Sequence, residues 1–289
     1  MNQNNKQVQE LLTTKVGTEG SLLIPRKIYD TLWEQVEKSL VGRQFAAFIV
    51  GPDGVPGSSF DLNLADVDSM TVYRVAEGAM VPIDVPSFSA TNVVPRKYAV
   101  RPVITREMLE DAKWNLLEFS MRLAGTEMAE NENAQILATL DGAGNTVSGG
   151  ASLSVANITR AIQYLRDNDY NPKVFIIGPE VLNDIQTLSA FSDASQYGGA
   201  DMQRNGFVGR IFGMDVYVIS PNASTQTAAV QSRRAYVLDP MQAFCIVEKR
   251  PVSVEEYDDT VHDMQGVVIS QRIGFSLIRS AAVVLITTS

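Results

Sequence analysis

The chain has 289 residues, of which 45% are hydrophobic and 20% charged, so it is long enough to bury a sizeable core and has an ordinary globular composition. Its net charge is −9 and its 24 basic residues are scattered, which argues against a dedicated nucleic-acid clamp, because phosphate binding needs clustered Lys and Arg. The single cysteine excludes an intrachain disulfide framework, and no apolar run approaches the roughly 18 residues of a membrane-spanning helix.

The first 49 residues divide into an arm and a helix. Residues 1–24 have no sustained apolar period and are interpreted as an extended arm, with a frayed terminus as the simpler alternative. A helix is predicted from Pro25, because apolar residues recur on one stripe up to Leu40, and Gly42 ends it.

Residues 59–104 read as a long, thin, two-stranded excursion with few residues left to cover it. Two runs in it are typical of β-strands, at 59–64 and 70–75, and two further runs follow at 83–89 and 98–105. A lone hairpin is marginal in water, so the excursion packs either on its own domain or on a neighbouring subunit. The residues themselves favour neither alternative.

The longest predicted element is a proline-free helix from Thr105 to Leu140, roughly 50 Å long. Thr105 can cap its start, and Asp141 with Gly142 ends it. Apolar residues spaced by three and four predict its core-facing stripe: Leu109, Ala112, Leu116, Phe119 and Leu123. We expect this stripe to face strands formed by the closing segment near 281–286.

The second half of the chain reads as a mixed domain. Glycine-rich residues 141–151 are interpreted as a linker, and 192–205 as a surface loop. Helices are predicted from Asn157, as a cap, and from Pro179, and strands are predicted at 174–177, 215–219, 235–238 and 243–247. The final residues, 249–289, are expected to return to the first domain as strands. Helices and strands alternate without a regular βαβ repeat, which indicates an α+β fold.

No credible active site emerges from the sequence, so no catalytic residue, cofactor or metal site is predicted. His262 is the only histidine, and its acidic neighbours Asp259 and Asp263 fit a solvated loop better than a metal or acid–base site. Cys245 lies in an apolar strand, where a buried structural thiol is the ordinary state. The glycines of 141–145 lack the lysine and hydroxyl residue of a phosphate-binding loop.

Several short motifs nevertheless occur in a recognisable order. They are Val75–Ala79 with Pro82, Phe88, Pro95–Lys97, Thr105–Asp111, Leu140–Gly142, Ile211–Val216 and Gln271–Gly274. Together they resemble the major capsid proteins of tailed phages of the Hong Kong 97 type. The resemblance spans residues 20–289; each motif is weak alone, and the ordered set is fairly specific.

The resemblance implies an α+β capsid fold with six segments. They are an N-terminal arm (1–24), an N-terminal helix region (25–49), an extended loop with peripheral-domain strands (50–104), a spine helix with linker (105–151), an axial domain (152–248) and peripheral-domain closing strands (249–289). Arg74, Glu77 and Val81 on the extended loop become candidates for contact with another subunit.

The type member of that family cross-links itself through a lysine, an asparagine and a catalytic glutamate. The corresponding positions here are Val81, Asp263 and Ser270. Valine has no amine and serine is a poor proton acceptor, so no autocatalytic isopeptide cross-link is expected. Residues 1–24 are too short for the scaffolding region of some members, so either a separate scaffolding protein is expected or the chain is already processed. Met1 at the start favours a separate scaffolding protein.

The implied function is an icosahedral shell of pentamers and hexamers that encloses the double-stranded DNA genome of a tailed virus. Assembly is expected in the host cytoplasm, with a portal as a further partner and with or without a decoration protein. The acidic balance suits a wall that does not grip DNA. The alternative is an encapsulin-type compartment that holds a cargo enzyme; the polar opening arm favours the phage capsid. A soluble enzyme built around His262 is a third reading.

Overall fold

A computed structural model describes residues 41–55, 57–65, 70–111, 116–187, 207–219, 230 and 232–288. The predicted arm (1–24), the helix expected from Pro25 and the surface loop 192–205 lie outside these ranges. None of the helices within the described ranges is long and apolar enough to cross a membrane.

The elements follow one another along the chain in a mixed order. The helices are α1 (Arg106–Asp111), α2 (Leu116–Leu140), α3 (Val155–Asp167) and α4 (Pro179–Thr187), with short 3-10 turns at Gly42–Phe45, Pro52–Gly54 and Ser280–Ala282. The strands are β1 (Phe48–Val50), β2 (Phe60–Ala65), β3 (Phe88–Val93), β4 (Arg96–Val100), β5 (Val103–Thr105), β6 (Asn145–Gly150), β7 (Val174–Ile177), β8 (Phe207–Ile211), β9 (Met214–Val218), β10 (Arg234–Leu238), β11 (Phe244–Asp259), β12 (Met264–Leu277) and β13 (Val283–Thr288).

The first sheet is built on the long antiparallel hairpin of β11 and β12. Its strand order is β1-β11-β12-β4, and β5 also pairs with β12. The β11–β12 register shifts on both sides of Arg250, next to Pro251, which lacks the N–H that a regular ladder needs. Helix α2 packs on this sheet through Met121, Ala124 and Met128, which cluster with Val252, Val267 and Ile269.

The second sheet has the order β6-β13-β10-β7-β9-β8, and its central strands are buried on both faces. Successive side chains of a strand point to opposite faces. Phe175 and Ile177 therefore pack with α3, whereas Val174 and Ile176 pack with the C-terminal end of α2. Helix α2 thus joins the two sheets.

The third sheet contains only β2 and β3, and the extended loop 70–87 leaves from it. The strand predicted at 59–64 corresponds to β2, and the run 98–105 to β4 and β5. The strand predicted at 70–75 is wrong, and of the run 83–89 only Phe88 and Ser89 belong to a strand, β3. Alternating apolar residues occur in this loop, but without a partner ladder they form no sheet.

The long predicted helix is described as α1 and α2, and its expected core-facing stripe is wrong in phase. Leu109, Phe119 and Leu123 are 42%, 54% and 53% exposed, whereas Leu116 is half-buried and Ala112 is not described. The buried face consists of Met121, Ala124, Gly125, Met128, Ala129, Glu132, Asn133, Ile136, Leu137 and Leu140. This face contains several small and polar residues, so the spacing of apolar side chains in the sequence does not identify it as the buried one.

Three further expectations are corrected. Residues 145–150 of the predicted linker form β6, which pairs in parallel with β13. Strand β13 also pairs with β10 of the second sheet, so 249–289 does not return to the first sheet as one unit. Backbone N–H and C=O groups make these ladders, and glycine-rich chain supplies them as well as any other. Helix α3 is capped by Ser154, whose side chain accepts a hydrogen bond from the Asn157 N–H, rather than by Asn157.

Candidate assembly interface

The extended loop 70–87, with Phe88 at its end, carries the largest run of exposed apolar side chains in the described chain. They are Met70, Val72, Tyr73, Met80, Val81, Ile83, Val85 and Phe88. Val72 is 99% exposed, so its side chain is left almost entirely in solvent. Contiguous apolar surface of this kind on a folded protein is characteristic of an interaction site.

All three contact candidates named from the sequence lie on this loop. Arg74, Glu77 and Val81 are exposed. Glu77 lies in the turn at the tip of the loop, where the Ala79 N–H donates to the Ala76 carbonyl over 3.0 Å, and Arg74 and Val81 lie on either side of it. Gly78 in this turn has φ +79°, a conformation that favours glycine. The structure therefore groups the three residues on one protrusion.

The base of the loop is fixed to the body of the subunit. The Lys249 ammonium donates to the Gly57 carbonyl, and the Arg279 guanidinium donates to the Ala65 carbonyl over 3.1 Å. A small apolar cluster adds Val93 of β3 to Val247 of β11. The loop thus projects from an anchored base.

The three positions that replace the cross-linking residues lie in different settings. Val81 is exposed on the loop, and Asp263, at φ +51°, lies at the tip of the β11–β12 hairpin, where it pairs with the Arg106 Nε at 3.0 Å. Ser270 is 3% exposed, and its Oγ accepts a hydrogen bond from Arg250 over 2.6 Å and lies 3.3 Å from the Ser253 Oγ. The Ser270 hydroxyl therefore belongs to a hydrogen-bond network with the Ser253 hydroxyl and the Arg250 guanidinium.

A buried polar cluster joins the start of the described chain to α2, and sequence reasoning missed it. The Arg43 Nε lies 2.7 Å from the Glu132 carboxylate, and its Nη1 lies 3.2 Å from that of Glu248. Next to it, the Gly42 N–H donates to the Asn133 side chain over 3.0 Å. The contacts with α2 bridge about ninety positions of sequence and the contact with Glu248 bridges more, so no local pattern could have signalled them.

Within this cluster, burial favours the neutral form of the Glu132 carboxyl. Glu132 is 2% exposed, and burial raises the pKa of its carboxyl even with Arg43 beside it. Burial disfavours the charged form of Arg43 as well, but the two carboxylates outweigh it, and the pKa of Arg43 is raised. The cluster is a structural anchor that depends on all of its partners.

The residues around His262 form a turn. One Asp259 oxygen accepts the backbone N–H groups of Val261 and His262, and the other lies 2.8 Å from the His262 Nδ1 and accepts the Tyr257 hydroxyl. The hydrogen bond to His262 is the main reason that the pKa of Asp259 falls to about 2. Among the described residues, no group of three or more His, Cys, Asp or Glu side chains is placed to hold a metal ion.

Two other features noted in the sequence have structural roles. Cys245 is fully buried, and burial raises the pKa of its thiol to about 11. Asp141, in the glycine-rich segment, accepts the Tyr236 hydroxyl over 2.6 Å and pairs with Arg234. Its carboxylate therefore fixes the end of α2 to the second sheet.

Comparison with known proteins adds a family and a set of similar folds. The family model described as the phage capsid family matches residues 20–288. A solved structure from Mycobacterium phage Che8 has a TM-score of 0.63 at 16% identity, over 80% of this chain and 84% of that one. The capsid of a native GTA particle gives 0.64 at 16% identity, over 87% and 90%.

An archaeal particle has a similar fold. The virus-like particle from Pyrococcus furiosus gives a TM-score of 0.60 at 12% identity, over 90% of this chain and 98% of that one. At such identities these likenesses show the fold. Among curated protein sequences, none matches this chain.

Proposed function

Because this chain belongs to the phage capsid family, we propose that it is the major capsid protein that self-assembles into the icosahedral shell around the double-stranded DNA of a tailed virus. The fold is of the Hong Kong 97 type, as the sequence motifs indicated. The chain is accordingly a structural protein of the virion capsid. The observation that carries the proposal is a family match over nearly the whole chain in a subunit that exposes a long apolar loop.

The segments have corresponding roles in this proposal. The six-stranded sheet with α3 and α4 forms the axial domain, and β13 belongs to it. The five-stranded sheet with α2, the spine helix, forms the peripheral domain. The loop 70–87 reaches another subunit through Arg74, Glu77 and Val81, so that the apolar surface that a lone subunit leaves in water is covered in the shell.

We further propose that the shell is held by non-covalent contacts. An isopeptide bond needs an amine, an amide acceptor and a carboxylate that moves a proton, but Val81 has no amine, Asp263 has no amide, and Ser270 has no carboxylate. Assembled shells should therefore dissolve to a single monomer band on a denaturing gel. Ladders that survive boiling and reductant would contradict the absence of a covalent cross-link.

The remaining partners follow from the same function. A separate scaffolding protein guides assembly in the host cytoplasm, a portal admits the DNA, and a decoration protein is a possible addition to the outer surface. The net charge of −9 suits a container that holds DNA without binding it tightly.

Electron microscopy of the expressed protein tests the proposal. Closed shells built of five-fold and six-fold capsomers are the expected result, and a stable monomer under all assembly conditions would overturn it. Mass spectrometry of purified particles tests the alternative of a compartment for a cargo enzyme. A stoichiometric co-purifying enzyme would favour that alternative and overturn the viral role.

A further inference from the structure

Asp84 holds the two limbs of the extended loop together. One of its carboxylate oxygens accepts the backbone N–H of Thr71 over 2.8 Å, and the other accepts the Tyr73 hydroxyl over 3.2 Å. Both donors lie on the outgoing limb, and Asp84 lies on the returning limb. Asp84 is half-buried in a stretch whose other side chains are mostly exposed.

These bonds matter because no ladder joins the limbs. Residues 70–87 are all described, and none of them belongs to a β-strand. A hairpin ordinarily keeps its shape through repeated backbone hydrogen bonds between its strands. Here one carboxylate provides a cross-limb connection to a backbone donor and to a side-chain donor. Each of these bonds is charge-assisted and therefore stronger than a bond between neutral groups.

The connection also sorts the side chains of the loop onto two faces. Tyr73 and Asp84 meet on one face. Neighbouring positions along extended chain point the other way, which puts Val72, Ile83 and Val85 on the opposite face. Their exposures of 99%, 83% and 76% agree with a face that makes little contact inside the subunit.

We propose that Asp84 is a positioning residue for assembly, which holds the two limbs so that Val72, Ile83 and Val85 present one apolar face to a second copy of this chain. The inference rests on the proposed shell function, which supplies the second copy. A loop that is already ordered loses less conformational entropy when it docks. Asp84 therefore promotes assembly without adding to the contact surface itself.

A double-mutant cycle tests the proposal. Asp84→Ala, Tyr73→Phe and the double variant are compared with the wild type by light scattering over a range of protein concentrations. Asp84→Ala should raise the concentration needed for assembly on the order of tenfold, and Tyr73→Phe by a smaller factor. The double variant should be no worse than Asp84→Ala alone, because both changes break the same connection.

Controls separate this role from a direct contact and from misfolding. Asp53→Ala removes an exposed carboxylate outside the loop and should assemble like the wild type. Asp84→Asn keeps an acceptor oxygen and should recover part of the assembly. In the unassembled subunit, hydrogen exchange at the Thr71 amide should accelerate in Asp84→Ala while the melting temperature stays constant.

The outcomes distinguish the inference from the function on which it rests. If the wild type forms shells and Asp84→Ala assembles equally well, the positioning role is overturned and the shell function stands. If Asp84→Ala impairs assembly while Tyr73→Phe has no effect, or the two effects add, Asp84 acts by direct contact with a partner and the positioning role is overturned. If the wild type itself forms no shell, the proposed function fails first.

Discussion

The C-terminal half of α2 and the extended loop 70–87 both carry rows of apolar side chains. Those of the helix are buried in the subunit, and those of the loop are exposed. Ile136 and Leu140 of the helix are fully buried, whereas Val72 and Ile83 of the loop are 99% and 83% exposed. Apolar composition alone therefore does not tell a core from an interface. What differs is whether a covering surface belongs to the same chain.

The polar groups of the two regions show the same difference. In α2, Glu132 and Asn133 find partners at Arg43 and Gly42, about ninety residues away along the chain. In the loop, Asp84 finds its partners 13 and 11 residues away, on the loop itself. The helix is integrated into the folded subunit, while the loop is organised locally and leaves its apolar side chains exposed. Four substitutions test this division.

The largest effect is expected from Ile136→Asp. Ile136 is fully buried and packs where α2 meets both sheets. An aspartate there would therefore bury an unpaired charge. We expect a loss of at least about 4 kcal/mol in the free energy of unfolding, enough to abolish the soluble subunit. Circular dichroism and soluble yield measure it. Ala138→Asp, on the exposed side of the same helix, is the matched control and should fold normally.

Arg43→Met should cost about 3 kcal/mol at neutral pH, because it leaves the Glu132 carboxylate buried without its guanidinium. Burial already raises the pKa of Glu132, so the folded state binds this proton more tightly than the unfolded chain does. The loss in the free energy of unfolding should therefore shrink as the pH falls through the pKa of Glu132 in the folded state, because the buried carboxyl is then protonated and neutral. Denaturant unfolding at several pH values measures this trend.

The control for the pH dependence is a second change in the same background. Arg43→Met combined with Glu132→Gln removes the titrating group, and its stability should vary less with pH than that of Arg43→Met alone. A pH dependence that is equal in the two variants would assign the effect to another group.

Phe119→Asp should change the free energy of unfolding by no more than about 1 kcal/mol, because the Phe119 side chain is 54% exposed. The stripe predicted from the sequence implies the opposite, that this change unfolds the subunit. Thermal melting of the unassembled subunit decides between the two. A fall in melting temperature as large as that of Ile136→Asp would show instead that Phe119 faces the core, as the sequence pattern predicts.

Ile83→Asp should have the smallest effect on folding, within about 0.5 kcal/mol, and a large effect on assembly, because this side chain is 83% exposed on the loop. Melting of the unassembled subunit and electron microscopy of the assembly reaction are the paired measurements. If this variant formed normal shells, the apolar face of the loop would not be a subunit interface. The proposed contrast between a core helix and an interface loop would then be wrong.

Local pattern predicted some elements well. The buried strand at 174–177 is β7 with the same bounds, and the helix expected from Pro179 is α4, because a short apolar run or a proline at a helix start carries its signal within a few residues. The protruding loop is also visible in the sequence, as a thin excursion with few residues left to cover it. Arg74, Glu77 and Val81 lie on this loop, and their contact with another subunit stays a prediction.

Other features could not be read from neighbouring residues. The phase of α2 was wrong because Gly125, Ala129, Glu132 and Asn133 on its buried face carry no apolar signal, while the exposed Phe119 and Leu123 do. The glycine-rich sequence of β6 predicts a linker, but its residues pair through the backbone, which leaves no side-chain pattern to indicate a strand. The Arg43 cluster was missed because its members come from three distant segments.

The sequence by itself determined the class of fold, the family resemblance, the long helix and the reaching loop, since these depend on composition, order and short-range periodicity. The tertiary structure decided which face of α2 is core, which sheet receives β6 and β13, and how Asp84 orders the loop. Those choices depend on partners brought together by folding, and the free energy of burial or of an ion pair belongs to the pair rather than to either residue.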